Sequence, residues 1–121
     1  MTITSKIAIL SYNDTRARGS AHPPVIVSGT FAADDGTYPT GLLLARAADG
    51  SYAPYDPTGD APLNAVVGVL DAEIDTSNST VGLVVIHGSV IRTTLKVGAT
   101  DSESPTESQL DALRDAGIFA E

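Results

Sequence analysis

A chain of 121 residues and 12.4 kDa, 42% hydrophobic and 18% charged, carries enough apolar material for one compact core and is too short for a multidomain enzyme. Seven basic against fifteen acidic side chains give a net charge of −8, which sets most of the surface against phosphate backbones and so against nucleic acid. The absence of cysteine removes disulfides, thiolate nucleophiles and cysteine-based zinc sites together.

In chain order, the first apolar run is Ile7-Ala8-Ile9-Leu10, too short for a signal-peptide core, and no later run approaches a membrane span. A soluble protein made in a cytoplasm is therefore expected. Ile3, Ile7 and Ile9 share one face if this stretch is extended, a strand pattern with no partner nearby in sequence. Tyr12 to Pro24 is polar and punctuated by Asn13-Asp14, Gly19-Ser20 and Pro23-Pro24, which favour turns and extended backbone. Residues 1–24 are thus expected to form an N-terminal arm and residues 25–121 a β-rich domain. Charge divides in a similar way. Residues 1–33 hold three basic and one acidic side chain, whereas residues 34–121 hold four basic and fourteen acidic ones.

From Val25 the pattern predicts short strands at Val25-Ile26-Val27, Leu42 to Ala45, Val66 to Leu70, Val81 to Ile86 and Val90-Ile91, separated by turn residues. Asp49-Gly50 predicts a two-residue hairpin between Leu43-Leu44-Ala45 and Tyr52-Ala53. Gly68, Gly82 and Gly88 lie within or beside strands, where glycine marks a bulge, a bend or the close approach of another backbone, as in a small curved barrel or sandwich. One helix is predicted near the C-terminus, with Ser104 as N-cap, Pro105 as its first residue, Glu107 at the third position and Gly117 ending it. Ile118 and Phe119 then form an apolar plug.

The inventory for catalysis is thin. His22 sits in the polar arm, and His87 sits beside Gly88 at a strand end, where hydrogen bonding to backbone explains a histidine without chemistry. His87 and Ser89 project to one side of a strand, but no nucleophile-elbow motif accompanies the serine. Asp34-Asp35 and the alternating Asp71, Glu73 and Asp75 are the densest acidic groups, and a solvated face accounts for them better than a cation site. No cofactor is expected: no phosphate-cradling loop or zinc-protease motif occurs. A carbohydrate- or ligand-binding β-sandwich is the alternative to a non-enzymatic structural role, and it requires Tyr52 and Tyr55 to be exposed and coplanar.

An ordered series of features carries a resemblance. It runs through Gly29-Thr30-Phe31, then Thr37 to Arg46, Asp49-Gly50, Asp60-Ala61-Pro62-Leu63, Val67 to Leu70, Asp75-Thr76-Ser77, Val81 to Val90 and the Leu110-x-x-Leu113-x-x-Ala116-Gly117-Ile118 tail. In this order and spacing, over about four fifths of the chain, the sequence resembles the head decoration, or capsid cement, proteins of lambda-like tailed bacteriophages. The resemblance implies a mainly β, β-tulip-type domain with one short C-terminal helix. It also implies a homotrimer on the outer surface of the expanded head at threefold and quasi-threefold sites, bound to the major capsid (coat) protein and holding the shell against genome pressure. It implies no catalysis, no cofactor or metal, and no nucleic-acid or membrane partner. Its arm adds a strand to the coat protein, for which the residues here are Ile3, Ile7, Ile9, Tyr12, Arg16 and Arg18; the one-sided apolar run suits such main-chain pairing.

Overall fold

The computed structural model describes residues 15–121. Its elements are β1 (Val25–Thr30), β2 (Thr37–Tyr38), β3 (Leu43–Arg46), β4 (Tyr52–Pro54), β5 (Gly68–Leu70), β6 (Ile74–Asp75), β7 (Val81–Val90), a 3₁₀ turn (Arg92–Thr94), α1 (Glu107–Asp115) and β8 (Ile118–Ala120). The expected mainly β domain with one C-terminal helix is what forms. Its main sheet has the order β1-β7-β5-β3-β4, with β8 added to β7, and β2 and β6 make a separate pair. All pairings are antiparallel except β7 with β8, and the sheets are open rather than closed into a barrel.

Apolar side chains are buried on both faces of the main sheet, which is why Leu42 to Ala45 is continuously apolar rather than alternating. Leu43, Ala45, Val69 and Val85 face one core with Tyr55, Val66, Leu95, Leu113 of α1 and Ile118 of β8. Leu44, Leu70 and Val84 face the other, with Leu42, Phe31, Tyr38 and Tyr52. Tyr52 fits because Gly29 lies against its ring: a Cβ on Gly29 would stand 2.6 Å from the Tyr52 Cδ2 atom, and one on Gly68 would stand 2.7 Å from Val84 Cγ1. Tyr38 donates a hydrogen bond to Asp35, and burial, this bond and the Asp35 charge together push the phenol well above its ordinary pKa.

Several local expectations are corrected. Val81 to Ile86 and Val90 belong to one ten-residue strand, β7, whose register against β1 shifts between Val25 and Ile26. The β3–β4 connection is longer than two residues. The Gly50 amide donates to the Ala47 carbonyl, Gly50 takes φ +90°, and the Ala47 amide closes onto the Ser51 carbonyl, so three residues make the turn. The helix is capped by Thr106, two residues beyond Ser104. The Thr106 hydroxyl accepts from the Gln109 amide at 3.3 Å, and the Gln109 side chain accepts from the Thr106 amide at 2.8 Å. Glu107, expected to close a box on Ser104, is drawn instead to Arg92 at 2.9 Å. Gly117 follows the helix as expected; Ile118 is buried in the first core as an apolar plug should be, while Phe119 stays 38% exposed, and the two belong to β8.

Two filled faces make neighbouring leucines equally critical. Leu43→Ala and Leu44→Ala are each expected to cost about 2–5 kcal/mol in urea denaturation, whereas in a sheet with one wet face only one of them would.

Candidate functional site

The site is the junction between the arm's described end and the last four residues of β7. Successive backbone groups in a strand point to opposite edges, and both edges are used here. The Ser89 amide donates to the His22 carbonyl at 3.0 Å, and the Ser89 carbonyl accepts from Gly19 at 2.8 Å. On the other edge, the Gly88 amide donates to the Gly117 carbonyl, and the Val90 carbonyl accepts from Glu121. Residues 17–22 and β8 therefore flank β7 on opposite sides. Gly88 has φ +97°, and a Cβ there would lie 2.6 Å from both the Pro23 carbonyl oxygen and the Pro24 Cα atom; this is the close backbone approach its sequence position suggests.

Within the stretch expected as an arm, residues 17–22 are docked on the body. Ala17 has no exposed surface, its amide donates to the Asp71 carbonyl at 3.0 Å, and its carbonyl accepts from the Ile91 amide at 2.7 Å. A methyl group this small lets the backbone come flush against the sheet while still contributing to the first core.

Asp71 fastens this segment. It immediately follows β5, and its side chain is fully buried. Arg16 Nη1 donates to it at 3.1 Å, Arg18 Nε donates at 3.1 Å, and the Arg18 backbone amide donates to its other oxygen, also at 3.1 Å. Burial pushes the Asp71 carboxyl up, but the hydrogen bonds from Arg18 and Arg16 and the Arg18 charge outweigh it and hold the group below the usual carboxylate range. A second carboxylate acts at the opposite end of the segment. Glu121 accepts from the Ser20 amide at 2.5 Å and the Ala21 amide at 3.1 Å. Gly19 leaves the space this needs, since a Cβ on it would overlap Glu121 Oε1 at 2.0 Å.

Of the residues expected to bind the coat protein, Ile3, Ile7, Ile9 and Tyr12 lie outside the described residues. Arg16 and Arg18 alternate along an extended segment and meet on Asp71. The acidic stripe Asp71, Glu73 and Asp75 does not form a shared solvated face. Asp71 is buried, the Glu73 amide donates to Thr40, and Asp75 accepts from Ser77 and Asn78 in a turn. Tyr52 and Tyr55 are each only 8% exposed, so the tyrosine platform required for sugar binding is not formed by them. His87 is exposed and faces His22 and Phe119, while Ser89 is buried. Among the described residues, no three or more His, Asp or Glu side chains are grouped to hold a metal ion, and no helix is long and apolar enough to cross a membrane.

Asp71 and Glu121 are the functional positions that sequence reasoning missed. The available signal was Arg16-x-Arg18, which in extended backbone aims two guanidiniums at one point. Comparison with known protein families and with curated proteins finds no match.

Asp71→Asn is expected to lower stability at neutral pH by about 2 kcal/mol, less than the loss of a fully buried pair because both guanidiniums reach water. Because the folded pKa of Asp71 is depressed, its contribution is complete above the unfolded value near pH 4 and is lost as pH falls through the folded value. The stability gap between wild type and Asp71→Asn, measured by urea denaturation, should therefore be constant from pH 7 to about pH 5 and shrink below about pH 4.

Proposed function

We propose that this protein is a phage capsid decoration protein that binds as a homotrimer to the outside of the expanded head, at threefold and quasi-threefold sites, and holds the shell against internal genome pressure. The observation that carries the reading is the fastening of residues 16–22 beside β7 by Asp71 and Glu121, a firm base for the residues that precede them in sequence. A leading segment that is to grip a partner needs a firm root, because force on the segment otherwise peels it from its own domain. The ordered resemblance and the mainly β body support the same reading.

In this role the two halves of the former arm divide the work. Ile3, Ile7, Ile9 and Tyr12 engage the coat protein by main-chain pairing at an open sheet edge, and Arg16 and Arg18 hold the root. Three such segments on one trimer act at high effective concentration, so a weak contact per subunit is multiplied by ~10²–10⁴ per added link when the geometry fits. Contacts that bridge coat subunits only in their mature arrangement favour the expanded shell by mass action. The acidic body keeps free copies soluble and repels packaged DNA.

Co-sedimentation with expanded and unexpanded heads tests the reading. Full-length protein is expected to pellet with expanded heads only; equal binding to both, or to neither, overturns it. Deleting residues 1–14 is expected to abolish binding with little change in Tm. Deleting 1–24 is expected to lower Tm by on the order of 10 °C as well, because Ala17 and both arginines leave with it.

A further inference from the structure

The two histidines of this chain, far apart in sequence, are brought together at the docked junction. His22 ends the segment held on β7, His87 lies within β7, and Phe119 of β8 stands beside both. The imidazole centroids are 5.5 Å apart, and Phe119 meets them edge-on at 5.7 and 6.2 Å. Both histidines are exposed to solvent.

The backbone beneath each ring is fixed. The His22 carbonyl accepts from Ser89, the two residues before it are bound to Glu121, and Pro23-Pro24 follows it. His87 pairs with Val25 across the sheet, and its Nδ1 edge lies over Gly117, where a Cβ would stand 2.7 Å away. Nε2 is thus the ring nitrogen farther from that backbone. Two imidazoles sharing one tetrahedral ion at metal–nitrogen distances near 2.0 Å have centroids about 5 Å apart. The observed centroid separation of 5.5 Å is close to that value. Imidazole pairs suit zinc, copper and nickel, whereas magnesium and calcium require oxygen ligands. Glu121, fixed beside His22 on the Ser20 and Ala21 amides, adds negative charge that favours a cation.

We propose that His22 and His87 form a two-imidazole site for a divalent transition metal such as Zn²⁺, with water completing the coordination. An ion bound there ties the docked segment to β7 and reinforces the root that Asp71 and Glu121 hold. The proposal is independent of what residues 1–14 bind.

The test is calorimetric titration of the full chain, stripped with a chelator, with ZnCl₂ and separately with MgCl₂, alongside thermal unfolding. One Zn²⁺ per chain and a Tm rise on the order of 5–10 °C at saturating zinc are expected, with no response to Mg²⁺. His22→Ala and His87→Ala should each remove the zinc response, and Glu103→Gln, an exposed acidic control, should keep it. Zinc-edge X-ray absorption of the wild type provides a readout without variants and should show two imidazole ligands. A wild-type chain indifferent to zinc, a response that survives both histidine substitutions, an equal response to Mg²⁺, or a spectrum of oxygen ligands alone would each overturn the proposal.

Discussion

A carboxylate removed from water stays ionised only if positive charge and hydrogen-bond donors are brought to it, and Asp71 draws both from residues 16–18. This requirement organises the junction. Asp71 is placed by β5 at the centre of the sheet, its own amide donates to Leu83 of β7, and its carbonyl accepts from Ala17. The residue therefore ties three stretches of chain with backbone and side chain at once. Undocking the segment would bare a buried charge, strip Ala17 from the core and break the hydrogen bonds of Ser89, so these losses come together and docking is cooperative with folding.

β7 is the element through which this constraint reaches the rest of the molecule. Its first part pairs with β1 and β5, and its last part with residues 17–22 and β8. The chain's described beginning and its C-terminus thus meet on one strand, with Glu121 bound to the amides of Ser20 and Ala21. Such long-range closure pins both ends of the domain without disulfides, which a chain lacking cysteine cannot form. The helix contributes by burying Leu113 against the same core that receives Ala17 and Ile118.

Much of this architecture was legible because local chemistry decided it. β-branched runs became β1, β5 and β7, Gly117 ended the helix, and Gly88 proved to be a point of close backbone contact. What was hidden depended on partners distant in sequence. Asp71-x-Glu73-x-Asp75 looks like a solvated stripe until the fold places Arg16 and Arg18 beside its first member alone. Ser104-x-x-Glu107 and Thr106-x-x-Gln109 offer equivalent capping spacings; the fold uses the second, and Glu107 pairs with Arg92 instead. The docking of residues 17–22 was hidden for a related reason: a polar composition describes side chains, whereas these residues dock mainly through their backbone.

That distinction explains how residues 17–22 dock with so little apolar surface. Main-chain docking around the small buried Ala17 commits few apolar side chains to the junction. The root's specificity then rests on charge, two arginines against one buried carboxylate and two amides against another. Charge and hydrogen bonding therefore hold residues 16–22 where apolar packing holds the sheet beneath them.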